Sequence, residues 1–150
     1  MKLKLYLDTS VFSARYDSRT PERAAETDDF FRRSAEFEIS TSDLARLELE
    51  RTVDPERRAR LLTLLDGLDV YPITVEMTAL ARRYIDAGVF TAAMFDDAQH
   101  VAVAVLTEQN VLVSWNFRHL VNRGRRARIN LVNASLGLPS LEILAPPEIQ

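Results

Sequence analysis

Short apolar runs alternate with longer amphipathic stretches along the chain. Five runs of four to six residues are typical of strands: 3–7, 37–40, 68–73, 110–115 and 141–144. Five longer stretches carry apolar side chains at helical spacing: 21–35, 41–51, 55–65, 75–87 and 97–107. Strands that alternate with helices favour parallel pairing through right-handed crossovers. The pattern therefore predicts an α/β fold: a three-layer α/β/α sandwich with a central, mainly parallel sheet of about five strands.

The composition is that of one compact unit with its own core. The chain has 150 residues, of which 47% are hydrophobic, and it shows no repeat or long linker. We expect a single domain over 1–150, with only the Pro-rich tail 145–150 loosely held. The absence of cysteine excludes disulfides, thiolate nucleophiles and cysteine-bound zinc. Because we find no membrane span or signal-peptide pattern, we expect a cytoplasmic protein that does not bind a membrane.

The charge is distributed unevenly along the chain. The formal net charge is −3, yet the residues after position 110 carry five arginines against two glutamates. A basic patch on an acidic protein is compatible with a phosphate-rich partner such as RNA. The basic stretch 122–128, "NRGRRAR", is equally well interpreted as a solvated loop or helix end.

Polar side chains follow two of the predicted strands. Asp8 ends the first apolar run, and Ser114 and Asn116 end the fourth. The carboxyl ends of parallel strands meet at one edge of a sheet, so we expect these residues to lie close together. A buried carboxylate there needs a partner, since an unpaired buried charge costs free energy. The nearby Trp115 and Phe117 have a structural interpretation, as anchors of the loop after the strand.

Two helices can bring further carboxylates to the same edge. The stretch 41–51 has an inward-facing stripe at helical spacing, formed by Leu44, Leu47, Glu48 and Arg51. Asp97 lies in the first turn of the 97–107 helix, where the helix dipole favours its ionised form.

Three inward carboxylates repel one another. Each pair costs about 4 kcal/mol at roughly 4 Å and an effective dielectric near 20. A hard divalent cation reverses that sign, and Mg²⁺ or Mn²⁺ held by carboxylates can drive phosphodiester hydrolysis. The sequence therefore suggests a metal site formed by Asp8, Glu48 and Asp97.

Each candidate also has a structural interpretation. Asp8 can cap the turn at Thr9 and Ser10, and Glu48 can pair with Arg51. We expect Asp96 to be the N-cap of the 97–107 helix rather than a ligand. His100, which follows in an apolar helix, is more often found at the edge of a core than in a site.

Four motifs occur in order along the chain: "LYLDTSVF", "TSDLARLEL", "FDDAQHVAVA" and "VLVSWNFRHLVN". Their order and spacing resemble PIN-domain ribonucleases, the fold of the VapC-like toxins of toxin–antitoxin pairs. The resemblance covers nearly the whole chain, and the tail is similar to one bacterial PIN subgroup. It implies a metal-dependent endoribonuclease in which Asp8, Glu48 and Asp97 hold Mg²⁺ or Mn²⁺. Thr9 or Ser10 would support the first aspartate through a hydroxyl group.

The chain departs from the family pattern at the fourth acidic position. Asn116 occupies or adjoins that place, and Ser114 can share its role. An amide lacks the charge that attracts a second cation, so the departure predicts weaker metal affinity, one ion rather than two, and slow catalysis. It also keeps open a catalytically weak or silent PIN fold that binds RNA or a protein.

The resemblance implies partners as well. The expected partners are an RNA substrate, an antitoxin that covers the acidic site, and a second copy in a homodimer built on the 21–35 and 55–65 helices. The candidates for contact with the RNA backbone are Arg118, His119, Arg123, Arg125 and Arg126.

Three other enzyme or signalling folds fit poorly. A haloacid-dehalogenase-like phosphatase needs a second aspartate where this chain has Ser10. A receiver domain needs a late lysine, whereas the last lysine here is Lys4. A Rossmann dinucleotide site needs glycines after the first strand, and the stretch 8–15 has none.

Overall fold

The centre of the molecule is a five-stranded sheet in which every neighbouring pair is parallel. The computed structural model describes residues 1–150. The strand order is β3-β2-β1-β4-β5, and the strands are β1 (Leu3–Leu7), β2 (Phe37–Ser42), β3 (Asp69–Tyr71), β4 (Val111–Val113) and β5 (Glu142–Leu144). The predicted parallel sheet is confirmed. The first strand, β1, lies at the centre of the sheet, with β2 on one side and β4 on the other.

Seven α-helices flank the sheet. They are α1 (Thr9–Arg15), α2 (Pro21–Arg32), α3 (Asp43–Glu50), α4 (Pro55–Thr63), α5 (Val75–Asp86), α6 (Phe95–Leu106) and α7 (Arg123–Ser135). Short 3₁₀ turns lie at Ser34–Glu36, Ala92–Met94 and Pro146–Glu148. None of the helices is long and apolar enough to cross a membrane.

Two hydrophobic cores cover the two faces of the sheet. Successive strand residues point to opposite faces, so Tyr6 packs in the core formed with α5, α6 and α7. Leu5 and Leu7 pack in the other core, with α1, α2, α3 and α4. The predicted three-layer α/β/α sandwich is therefore confirmed.

Local chemistry sets several helix ends. The Thr74 side chain accepts the Met77 N–H at the start of α5, and the Asp54 side chain accepts the Arg57 N–H at the start of α4. Past the end of α5, Gly88 has φ of +76°, a left-handed conformation that suits a helix C-terminus.

Two of the seven helices were not predicted. Helix α1 follows Asp8 directly, where the sequence suggested only a turn, and buries Val11 and Phe12. Helix α7 contains most of the basic stretch 122–128, for which the charges suggested a solvated loop or a helix end. It begins where the Asn122 side chain accepts the Arg125 N–H, and it buries Ile129 beneath its exposed arginines.

Two details of the predicted helices are wrong. Helix α6 begins at Phe95, one residue before Asp96, so Asp96 lies exposed in its first turn and is not the N-cap. On α3, Leu47 is 52% exposed and Arg51 is also exposed. Because α3 is covered on only part of its inner side, Leu44 and Leu49 carry its packing.

The C-terminal tail is held in place, contrary to expectation. Ala145, Pro146 and Ile149 are buried, and Ile149 packs in the core beside α2. The Arg33 guanidinium donates to the Ile149 carbonyl oxygen at 2.8 Å. A short apolar segment closed by a hydrogen bond to α2 thus completes one face of the molecule.

We expect Ile149→Ala to lower the free energy of unfolding by about 2–4 kcal/mol, since it removes a buried side chain and leaves a cavity. Urea unfolding measures the change. The matched control is Gln150→Ala, at an exposed neighbouring position, which should change stability by less than about 0.5 kcal/mol. Equal stability of Ile149→Ala and the parent protein would show that the tail is not part of the core.

Candidate active site

The carboxylate of Asp8 is buried at the carboxyl end of the central strand. Leu7 pairs with Val113 in the sheet, so the next residues of both strands, Asp8 and Ser114, lie side by side. Asp8 is 4% exposed, and its side chain caps α1 by accepting the Ser10 N–H at 3.0 Å. The Ser10 hydroxyl donates to the same oxygen at 2.5 Å, and the Ser114 hydroxyl donates to the other oxygen at 2.6 Å.

Burial raises the pKa of Asp8, while His100 and the two serine hydroxyls oppose the rise. The capping interpretation of Asp8 is therefore confirmed, and its role as a metal ligand stays a prediction. Of the two hydroxyls expected to support it, Ser10 does so; the Thr9 hydroxyl instead lies 3.5 Å from the His100 Nε2 atom.

A second group of side chains meets next to Asp8. The Glu48 Oε1 atom lies 2.9 Å from His100 Nε2, and His100 Nδ1 lies 2.7 Å from the Tyr6 hydroxyl. The Tyr6 hydroxyl in turn lies 2.7 Å from the Ser42 hydroxyl. Glu48 thus pairs with His100 and not with Arg51. This chain of hydrogen bonds joins α3, α6, β1 and the end of β2.

The charges of this group depend on one another. Burial opposes protonation of His100, but the hydrogen bond with Glu48 and the nearby carboxylates of Asp8 and Asp97 outweigh burial and raise the pKa of its imidazole. Burial likewise acts to raise the pKa of Glu48, and the bond with His100 overcomes it, so that the pKa is lowered. Burial holds the pKa of Tyr6 above its usual range. A protonated His100 then donates to both Glu48 and Tyr6, and Tyr6 donates to Ser42.

The side chains of Asp97 and Asn116 both bind His119, in the loop after β4. Asp97 Oδ2 lies 2.9 Å from His119 Nδ1, with both side chains partly buried. The Asn116 side-chain oxygen accepts the His119 N–H at 2.9 Å. The Asn116 amide, at the expected fourth acidic position, therefore stabilises the loop. His119, which we expected to contact the RNA backbone, is hydrogen-bonded to the Asp97 carboxylate.

The three acids share one edge of the sheet without forming a ready-made metal cluster. Asp8, Glu48 and Asp97 all act on the charge of His100. However, no group of three acidic or histidine side chains has an arrangement that could hold a metal ion. Glu48 and Asp97 are each hydrogen-bonded to a histidine instead. Their oxygens remain the donor type that suits Mg²⁺ or Mn²⁺, so the donor chemistry fits such an ion although the ligands are not preassembled.

The predicted basic residues separate into two groups. Arg118 and Arg123 are exposed. The Arg125 guanidinium lies 4.9 Å from the centre of the Phe90 ring, and the Arg126 guanidinium donates to a backbone carbonyl of β5 at 3.0 Å. The first pair is open to a ligand, whereas the second pair is already engaged in holding α7.

Comparison with protein families gives one decisive match. The model of the PIN domain matches residues 5–114, well over half of the chain. The chain belongs to the PIN-domain family. The match spans Asp8, Glu48 and Asp97 and ends at Ser114, just before Asn116. A comparison with curated proteins finds no match.

Solved structures with the PIN fold include two similar chains. A structure of VapBC2 from Rickettsia felis, bound to a DNA fragment from their promoter, has a chain with a TM-score of 0.61 and 11% identity. A structure of VapBC-5 from Mycobacterium tuberculosis, a member of the VapBC family of toxin–antitoxin systems, has a chain with a TM-score of 0.53 and 17% identity. In both cases the similarity covers 95% of this chain and 98% of the other. At these identities the likeness establishes the fold.

Sequence reasoning missed the role of Tyr6, Ser42 and His100 in this PIN fold. His100 offered one signal, since it lies one helical turn after Asp97 and therefore on the same face of α6. Tyr6 offered none, because an aromatic residue inside an apolar strand is usually core, and its partner His100 is 94 positions away.

We expect His100 to titrate above the ordinary histidine pKa of about 6.5, and Glu48→Gln to lower its pKa, because the charged acceptor is removed. The raised pKa of His100 means that the pair loses its contribution to stability as the pH rises from about 6.5 through the folded histidine pKa. The lowered pKa of Glu48 means that the contribution is also lost as the pH falls from about 4.5 through the folded glutamate pKa. NMR titration of the imidazole resonances measures both values, with His119→Gln assigning the second histidine. An unchanged His100 pKa in Glu48→Gln would show that the pair does not control it.

Proposed function

We propose that this PIN-domain protein is a divalent-metal-dependent endoribonuclease that acts as the toxin of a toxin–antitoxin pair. The observation that carries the proposal is the position of three carboxylates at the carboxyl edge of the sheet: Asp8 bonds to Ser114, Glu48 to His100 and Asp97 to His119. PIN and VapC proteins are generally nucleases, and PIN nucleases generally use divalent metals. In open parallel sheets this edge is also where ligands bind.

The three carboxylates would hold Mg²⁺ or Mn²⁺. When bound, such an ion polarises oxygen atoms and neutralises the charge that develops on a phosphodiester during hydrolysis. Ser10 and Ser114 fix both oxygens of Asp8. His100 orients Glu48, and the exposed Arg118 and Arg123 are free to bind RNA phosphates.

The proposal includes protein partners and a location. The similarity to VapBC toxin–antitoxin structures supports an antitoxin as a partner. The antitoxin would cover the acidic edge, and a homodimer would form through the outer faces of α2 and α4. Both partners and the RNA substrate would meet in the cytoplasm.

A second candidate is a PIN fold that binds RNA or a protein without cutting. It is favoured by Asn116, whose side-chain oxygen is used by the His119 N–H, and by the absence of a carboxylate at that position. Loss of one ligand charge weakens the attraction for a cation.

We expect purified protein to cleave RNA only with Mn²⁺ or Mg²⁺, and Asp8→Asn and Asp97→Asn to lower the rate at least about 100-fold, since each removes a charge from the metal site. Gel assays with end-labelled structured and single-stranded RNAs measure this. The matched control is Asp96→Asn, which alters the exposed neighbour of Asp97 and should cleave like the parent. Equal cleavage by all four proteins would indicate a contaminating nuclease and contradict the proposal.

Metal binding can be followed without any RNA. At a Mn²⁺ concentration about 100 times Kd, the ion should add about 2.7 kcal/mol to the stability of the folded parent. We expect thermal unfolding to shift upward in the parent and in Asp96→Asn, but not in Asp8→Asn. Mn²⁺ that stabilises the parent and Asp8→Asn equally would place its binding elsewhere.

A further inference from the structure

Two aromatic rings and one arginine lie together beside Asp8. The ring centres of Trp115 and Phe117 are 6.1 Å apart at an angle of 66°. The Arg23 guanidinium, which α2 supplies, lies 4.8 Å from the Trp115 ring centre and 5.6 Å from that of Phe117. We call Arg23, Trp115 and Phe117 the aromatic shelf. From the sequence, Trp115 and Phe117 were expected only to anchor the loop after β4.

One ring of the aromatic shelf is fixed and the other is open. Trp115 is 7% exposed, and its Nε1–H donates to the buried Thr27 hydroxyl at 2.8 Å. Its backbone N–H donates to the Ser10 hydroxyl, which itself binds Asp8. Phe117 is 47% exposed, so this large apolar residue is partly open to solvent beside the buried Trp115. Anchoring a loop accounts for Trp115 but not for this exposure of Phe117.

Arg23 carries a charge that no carboxylate neutralises. It forms no ion pair, although Glu22 and Glu26 line the same surface depression. An arginine held over aromatic rings presents its guanidinium plane and donors to a ligand in a fixed position. The aromatic shelf therefore combines a stacking surface with a free cation.

The aromatic shelf is continuous with the candidate active site. Arg23 and Trp115 line one depression of about 530 Å³ with Glu22 and Glu26. The same two residues line a second depression, of about 310 Å³, which reaches Ser10 and Asn116. A ligand in the second depression would thus lie next to Ser10, whose hydroxyl donates to the Asp8 carboxylate.

We propose that the aromatic shelf binds one unpaired base of an RNA strand whose neighbouring phosphate enters the acidic site. The base stacks on Phe117, and Arg23 binds the adjoining backbone. Stacking on aromatic side chains is the common way to hold an unpaired base, whereas a base inside a duplex has no free face. The proposal rests on the proposed function, because it assigns the substrate of the same site.

The test is binding of a single-stranded RNA oligonucleotide that carries 2-aminopurine, measured by fluorescence in EDTA so that no metal-dependent cleavage occurs. We expect parent protein to change the 2-aminopurine signal on binding, and Phe117→Ala to raise Kd about 10-fold, the size typical of one lost base stack. Phe117→Trp, which restores a stacking ring, should bind like the parent. Leu131→Ala, on exposed α7, is the matched control and should have no effect. A duplex of the same sequence should bind more weakly and should not respond to Phe117→Ala.

Several outcomes would overturn the proposal: no binding of single-stranded RNA by the parent, equal Kd values for Phe117→Ala and the parent, or the same loss for the duplex.

Cleavage kinetics separate this proposal from the proposed function. A raised KM with unchanged kcat in Phe117→Ala would support both. Metal-dependent cleavage with an unchanged KM in Phe117→Ala would support the nuclease function and contradict base binding by the aromatic shelf. Stacking that depends on Phe117 without any cleavage would support the shelf and overturn the nuclease.

Discussion

The buried carboxylate of Asp8 is the feature around which the functional edge is arranged. It ends the central strand of the sheet, where a carboxylate without hydrogen bonds would be costly. Three neighbouring groups satisfy it: the Ser10 N–H, the Ser10 hydroxyl and the Ser114 hydroxyl. The same two hydroxyls accept the backbone N–H groups of Trp115 and Asn116. One acidic side chain thereby joins β1, α1 and the loop after β4, and the rigid part of the aromatic shelf depends on it.

The second constraint is repulsion among the acids. All three carboxylates favour protonation of His100, and a protonated imidazole would reduce the cost of placing Asp8, Glu48 and Asp97 at one edge. Tyr6 and Ser42 fix His100 from the sheet side, so Glu48 is oriented by a chain of contacts that begins in the core. This arrangement reconciles the two interpretations of the acids: they hold local structure as they stand, and their oxygens are the donor type that a hard cation takes.

The sequence predicted those features that arise from local pattern. Alternating runs gave the parallel sheet, and strand ends placed Asp8 beside Ser114. The sequence pattern did not predict features that depend on contacts between segments far apart in the chain. The arginines of α7 and the prolines of the tail suggested exposed, irregular segments. Both segments are ordered because Ile129 and Ile149 are buried against surfaces that distant parts of the chain supply. The link from Tyr6 to His100 likewise joins residues that only the folded sheet brings together. Asn116 was singled out for its amide, but its contact with the His119 backbone depends on the loop geometry.

We propose that Asp8, Glu48 and Asp97 form the binding site of one divalent ion. Anomalous diffraction from crystals of the protein grown with Mn²⁺ tests it most directly, since it locates the ion without reference to any activity. The account predicts one strong anomalous peak in contact with the Asp8 carboxylate and within reach of Glu48 or Asp97. The absence of a peak at Asp8, with Glu48 still bound to His100 and Asp97 to His119 at saturating Mn²⁺, would contradict it.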